Sequence, residues 1–505
     1  MGIKRYYLTK DNTVSNAFKS NLMTRATGSN MGAADILEAF VIHGQTSAAI
    51  NETNAEQSRI LIEFDIDAVL SDITAGTVPS SSVDYVLKMY NTPHASTTPM
   101  SYSLDVAMVK TRSWQEGSGL DMDNYSDLGK SNWMSASSTA AWSKNGGDYY
   151  GVGSTLSSSF FFDGGTEDLE LNIDFAVDKW RTNETDYPNY GLILKNTDPV
   201  ISGSEGTYFT KMFFGRTSEF FLKRPYIEAR WDSSRKDNRG NFAVSSSMLP
   251  TADNINVLYL YNRARGQLVN IPGLVNNTLS VEIFSGTTAP IGDALRLVDG
   301  INQGNGLFLT GGLLIENEVT QTGIYTCSLA SALTGTSAAE TLTTNSYFDV
   351  WSTGSVQFYT GSFDPDVVSP QELIYDTSHV TTITNLKNSY IQGQAPVLRL
   401  FTRKKDWSPT IYTVATKNIV PEIIENAYYR VFRTVDGMDV IPFGTGSLNK
   451  DCTRLSYDVS GNYFQLDTSY LDTGYMYGVQ FTYYLNGAYE NQKEIFKFRI
   501  DEEIT

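Results

Sequence analysis

Residues Glu167–Phe175 read EDLELNIDF, and their side chains sort onto two faces. Leu169, Leu171, Ile173 and Phe175 fall on one side, and Asp168, Glu170, Asn172 and Asp174 on the other. Successive side chains of a strand point in opposite directions, so this alternation predicts a strand with one apolar and one polar face. Ser58–Asp67, SRILIEFDID, repeats the pattern: Ile60, Ile62, Phe64 and Ile66 oppose Glu63, Asp65 and Asp67. Looser versions run through VDYVLKM, SYSLDVAMV and PYIEARW, and later through APVLRLFTR, YYRVFRT and YMYGVQFTYYL. Such strands build antiparallel sheets wetted on one side. Helical spacing is rare, with MGAADILEAF and DIDAVLSDI the best candidates.

A chain of 505 residues exceeds what one hydrophobic core supports, so about three domains are expected. Its 30 Tyr and 25 Phe favour strands over helices. A formal charge of -18 repels phosphate backbones and argues against a nucleic-acid partner. Two cysteines, Cys327 and Cys452, exclude a disulfide framework and a Cys-rich zinc site. The N-terminal MGIKRYYLTKDN has no apolar signal core, and no run reaches the length of a membrane span. The expectation is a protein made in a reducing cytoplasm with no membrane insertion. Boundaries are expected after PYIEARWD, where the polar SSRKDNRGNF begins, and between about Pro365 and Asn385, in the Pro- and acid-containing FDPDVVSPQELIYDTSHV. The predicted fold is all-β, with three consecutive antiparallel β-sandwich domains over residues 1–232, 233–375 and 376–505.

Within the first span, SRILIEFDI, WQEGSG, the Trp of AAWSKNGGDY, VDKWRTNETDYPNYGLILK and FFGRTSEFFLKRPYIEARW occur in order. This series resembles the DNRLRE family, β-sandwich modules akin to carbohydrate-binding modules, and implies a jelly-roll-like fold. The chain departs from that family in a longer Ser-rich stretch around Gly151–Phe162. In the middle span, Tyr325 precedes Cys327 by two residues in TGIYTCSL, the spacing of a tyrosine corner in an immunoglobulin-like sandwich. Near the C-terminus, Leu471, Gly474 and Tyr477 lead into Val479, Phe481 and Tyr483, then a hairpin turn at Asn486-Gly487. That order resembles the last strands of a fibronectin-III-like sandwich. EARWDSSRKDNRGNF, VLYLYNRARGQLVNIPG and VPEIIENAYYRVFRTVDG are similar in flavour to virion structural proteins of tailed, marine myovirus-like phages.

Candidate sites follow from residue type. Trp114–Gly129, WQEGSGLDMDNYSDLG, is dense in acid and glycine. An EF-hand-like loop fails, because Tyr125, Ser126 and Asn132 stand where acid, Gly and Glu are required. A looser structural Ca2+ site on Asp121, Asp123 and Asp127 is weighed against a plain polar loop in which Gly117 and Gly119 permit positive φ. Trp114, Trp142, Trp180 and Trp231 read as core. Trp133, in KSNWMSASS, reads as exposed, and with Tyr149 and Tyr150 as a glycan-stacking face. Lys223, Arg224, Arg230, Arg235, Lys236 and Arg239 form the densest basic run, either a solvated linker or a docking patch for an acidic neighbour.

No nucleophile elbow, phosphate loop or zinc-protease motif is present; GTGSLNK lacks the terminal Gly-Lys-Ser/Thr, and His43, His94 and His379 lack metal-ligand spacing. No catalytic residue and no cofactor is expected. The phage-like resemblance implies a non-enzymatic virion component of tail, neck or baseplate, for fibre attachment or decoration. It would act in several copies with other virion proteins and be synthesised in the host cytoplasm. The module-like resemblance implies the alternative, recognition of host surface glycans.

Overall fold

The computed structural model describes residues 2–42, 55–94, 100–198, 208–299, 305–331, 346–367, 378–405, 407, 421–445 and 449–502. The chain is all-β apart from short helices and divides into two compact units. One comprises residues 2–231 with 446–450, the other residues 232–445 with 451–505.

The first unit contains β1 (Ile3–Ser15), β2 (Ile36–Ile42), β3 (Glu56–Phe64), α1 (Ile66–Thr74), β4 (Asp84–Met89), β5 (Tyr102–Met108), β6 (Ser135–Ser137), β7 (Ala140–Ala141), β8 (Ser157–Phe162), β9 (Leu169–Asn172), α2 (Asp174–Thr182), β10 (Leu192–Asn196), β11 (Tyr208–Phe214) and β12 (Tyr226–Arg230). β1 belongs to both layers. Its residues 3–7 pair with β12, which continues to β4 and β9. The rest, to Ser15, pairs with β3, which continues to β10, β5 and β8. The register shifts between Leu8 and Lys10, and a bulge of this kind lets one strand turn from one sheet into the next. Tyr85, Leu87, Ile227 and Ala229 of one layer share a core with Ile60, Ile62, Leu104 and Leu192 of the other.

The alternation in EDLELNIDF holds through β9, with Leu169 buried and Leu171 facing the same core. Its acidic face is not simply wetted, because Lys88 lies 3.7 Å from Asp168 and 3.1 Å from Glu170, and Arg230 lies 2.8 Å from Glu170. The strand also ends earlier than the pattern predicts. Asp174 opens α2, whose Ala176, Val177 and Trp180 are buried at helical spacing. Asp65, read as strand polar face, instead accepts the N–H groups of Asp67 and Ala68 and caps α1. MGAADILEAF, a helix candidate, contributes β2, because β2 is held residue for residue against β11; cross-strand pairing overrides a weak local preference.

In the second unit, strands between Asn256 and Phe363 form an eight-stranded sheet among the described residues. Leu258, Val281, Ile283, Tyr325, Cys327 and Trp351 pack in its core. Strands from His379 onward form separate four- and six-stranded sheets among the described residues. Two pairings depart from the expected antiparallel plan: Phe242–Val244 runs parallel to Pro365–Val367, and Ser389–Ile391 parallel to Phe496–Asp501. The expected boundary near 365–385 runs largely through residues 368–377, outside the described residues. Cys327 and Cys452 are both buried thiols.

The two tyrosine signals resolve differently. The Tyr325 hydroxyl accepts the N–H of Ile271 at 2.9 Å, 54 residues upstream, from inside the strand Val319–Ser331. It is a brace within the sandwich rather than a corner at a strand start. Tyr477 donates to the carbonyl of Asp472 at 2.8 Å, five residues upstream, which is the corner geometry. Asn486 and Gly487 have φ of 51° and 82° and connect Met476–Leu485 to Ala488–Asn491, as the Asn-Gly signal predicts.

Candidate functional site

The loop that opens with Trp114 is anchored by its first six residues. Trp114 is buried and its indole N–H donates to the carbonyl of Tyr190 at 3.0 Å. Glu116 accepts the backbone N–H of Asp11 at 2.9 Å and two guanidinium N–H groups of Arg216 at 3.1 and 2.9 Å. Gly117, at φ 86°, and Gly119 lie so close to Asn30 that neither site has room for a Cβ. Asn30 fills the concavity: its oxygen accepts the N–H groups of Gly32 and Gly119, and its amide donates to the carbonyls of Glu116 and Ser131. Beneath this loop Asp11 is 1% exposed. One of its oxygens accepts the N–H of Arg216 at 2.6 Å, while Oδ1 has no hydrogen-bond partner. Burial pushes the Asp11 carboxyl up to about 7.

The acidic half of the loop caps turns. Asp121 accepts the N–H groups of Asp123 and Asn124 at 2.7 and 2.6 Å, and Asp123 accepts that of Ser20 at 3.1 Å. Asp127 accepts both the N–H and the hydroxyl of Ser118. The backbone donor of Asn124 above all holds Asp121 below its ordinary value, and the hydrogen bonds from Ser20 do the same for Asp123. Among the described residues no group of three or more His, Cys, Asp or Glu could hold a metal ion. Asp121, Asp123 and Asp127, weighed above as a structural Ca2+ site, belong to no such group, and their oxygens accept hydrogen bonds within the loop and from Ser20.

The expected glycan face is corrected at Trp133. Trp133 is 6% exposed and packs with Trp114, Trp142, Val14, Leu61 and Ile193 in a second core on the outer side of the β3–β10–β5 layer. Arg59 closes over it, 4.9 Å from the Trp133 ring and 5.5 Å from that of Tyr149. Tyr149 lies partly buried against this cluster, whereas Tyr150 packs against the main core and lies 5.9 Å from the ring of Tyr187. The three rings do not present one open platform. Trp114, Trp142, Trp180 and Trp231 are buried, as expected.

The basic run is also redistributed. Lys223, Arg224 and Arg230 belong to the first unit, and Arg235, Lys236 and Arg239 to the second. Lys223 lies over the rings of Phe214 and Phe220, and Arg224 donates to the carbonyl of Ser218. Arg230 is 2% exposed, bonded to Glu228 at 2.7 Å, to Glu170, and to Asn449. Glu228 in turn holds Arg5 at 2.6 Å. In the second unit, Arg235 pairs with Glu316 at 2.5 Å and Lys236 with Glu425 at 3.2 Å. Arg239 is buried between Asp349, at 2.5 Å, and Asp237, at 2.8 Å. Segment 235–237 also bonds to Tyr457 through its backbone in both directions. Arg230 and Arg239 are internal fastenings, while Lys223, Arg224, Arg235 and Lys236 stay partly exposed with contacts inside their own units.

One exposed aromatic group was missed in the sequence. Tyr484 and Tyr489 stand directly opposite each other across the Asn486-Gly487 hairpin, 39% and 49% exposed, with ring centroids 4.7 Å apart. The signal was present as a tyrosine at equal distance on either side of the turn.

No protein-family model matches the chain, and no curated protein matches it. Several solved structures are similar to parts of it. The tandem immunoglobulin repeats of Dlar align at 9% identity over 45% of this chain and 92% of theirs, with a TM-score of 0.14. The FN1–FN3 domains of chicken CNTN1 align at 8% identity over 61% of this chain and 86% of theirs, with a TM-score of 0.13. Native alpha-2-macroglobulin of E. coli aligns at 9% identity over 97% of this chain but 28% of its own, with a TM-score of 0.15. Superpositions this loose carry no argument, and the all-β class rests on the strands themselves. Among the described residues no helix is long and apolar enough to cross a membrane.

Proposed function

We propose that this chain is a non-catalytic structural protein of a virion, an accessory part of tail, neck or baseplate that supports fibre attachment or decoration. Other virion proteins are its partners, and it acts in several copies. The resemblance to phage virion proteins motivates the reading. The observation that carries it is the use of charge: two buried guanidinium groups are fastened to carboxylates in the framework. Arg239 is tied to Asp237 and Asp349, and Arg230 to Glu228 and Glu170. A catalytic acid or base must meet a substrate with its protonation state tuned to the reaction. Ions locked in this way fix the backbone instead. Mass spectrometry of density-purified particles tests the proposal. The chain should be found in intact particles at several copies each, and its restriction to the soluble lysate would overturn the reading.

A further inference from the structure

We infer that the Tyr484–Tyr489 face of the C-terminal hairpin binds a neutral saccharide. This goes beyond the structural role, and neither depends on the other. The hairpin Met476–Leu485 and Ala488–Asn491 sets the two tyrosines opposite each other, their ring planes inclined at 50°. Tyr489 also packs at steep angles against Phe443, ring centroids 5.5 Å apart, and Tyr428, 6.0 Å apart. Its hydroxyl meets that of Thr445 at 3.3 Å. Little freedom is therefore left for a ligand to remove, which favours binding.

Size and charge select the occupant. Two tyrosines at these exposures offer roughly 200 Å² of ring surface, against about 800 Å² per partner in a stable protein interface. A face of that extent suits one or two sugar rings. Charge beside it is net acidic: one cation, Arg454, lies 2.7 Å from Asp451 and 3.1 Å from Asp232, and donates to the hydroxyl of Tyr428. Glu490, the next residue along the strand, lines a separate cavity with His379. The surface therefore presents aromatic rings and hydroxyl groups bordered by an excess of carboxylate. A pyranose has the matching chemistry, an apolar C–H face bordered by hydroxyls, whereas an anionic glycan would meet the carboxylates of Asp232 and Asp451, which outnumber Arg454.

The test uses the full chain on an array of neutral hexose and N-acetylhexosamine oligosaccharides, with sulfated and sialylated glycans alongside. The neutral ligand retained best is then followed by saturation-transfer NMR. Retention of neutral glycans is expected, with saturation passing to the sugar C–H protons. The double variant Tyr484→Ala/Tyr489→Ala should weaken binding by roughly tenfold or more with an unchanged melting curve. If the double variant melts earlier, Tyr484→Ser alone repeats the reading. The inference is overturned if no neutral glycan is retained, if anionic glycans are preferred, or if the variants bind as well as the parent. It is equally overturned if binding is lost on Tyr150→Ala instead, or if cross-linking at Tyr484 captures a protein partner rather than a sugar. Particle composition is untouched by any of these outcomes, so the virion reading stands or falls separately.

Discussion

Arg239 illustrates how a single side chain can be misplaced by its neighbours in sequence. Within SSRKDNRGNF it reads as one charge in a solvated run, yet it is 7% exposed and shares the Asp349 oxygen that also accepts the indole N–H of Trp351 at 2.7 Å. Removing one partner of a buried pair leaves the other ion uncompensated, a cost of about 3–5 kcal/mol. Arg239→Ala should therefore lower the urea midpoint of the second unit markedly, whereas Lys236→Ala, at a half-exposed pair, should change it by under about 1 kcal/mol. Equal effects in equilibrium unfolding would contradict this assignment. Asp11 makes the opposite prediction. Its folded-state value is raised to about 7 from an ordinary 3.8, so the folded protein holds the proton more tightly than the unfolded chain. The associated stability is fully present below about pH 4 and is lost as pH rises through 7. Asp11→Asn removes the charge but keeps an acceptor for Arg216, and should stabilise the first unit by about 1–2 kcal/mol at pH 8, with little gain at pH 4. Thermal melts of parent and variant across that range check it; a pH-independent difference would count against the burial argument.

At the scale of elements, what was legible was whatever repeats with a short period. The strands in SRILIEFDID and EDLELNIDF, the Asn486-Gly487 hairpin and the helix in DIDAVLSDI all follow from residues a few positions apart. The misreadings share one cause, in that the deciding contact is distant. β2 is a strand because of β11, some 170 residues later in the chain. Trp133 is buried because Arg59 and the outer face of the β3–β10–β5 layer cover it, while KSNWMSASS around it is polar. The start of α2 was hidden by a different effect: Ile173 and Phe175 continue the strand alternation into the first helical turn. Of the candidate site residues, those expected to be core were placed well, because large aromatics are seldom left outside. The partners of the acids and cations were not legible, because pairing cannot be read from composition. Tyr477 supplies a test at this scale. Tyr477→Phe removes only the hydroxyl bonded to Asp472 and should cost about 1 kcal/mol in the second unit, while Tyr484→Phe on the same hairpin should be neutral. Chemical denaturation of the two variants separates them.

For the whole molecule, the two compact units share a common economy of design: apolar cores between sheets, and buried arginines tied to carboxylates of the same unit. Assembly in several copies suits such a part, since strands at the margins of the sheets carry unpaired backbone groups that neighbouring copies can cover, and rings or trimers close that arrangement. The most direct measurement is a symmetry-averaged cryo-EM reconstruction of the purified particle, compared with particles from which the gene has been deleted. Density for these β-sandwich units is expected, repeated about a rotational axis of the tail, neck or baseplate and lost on deletion. Identical reconstructions with and without the gene would contradict it.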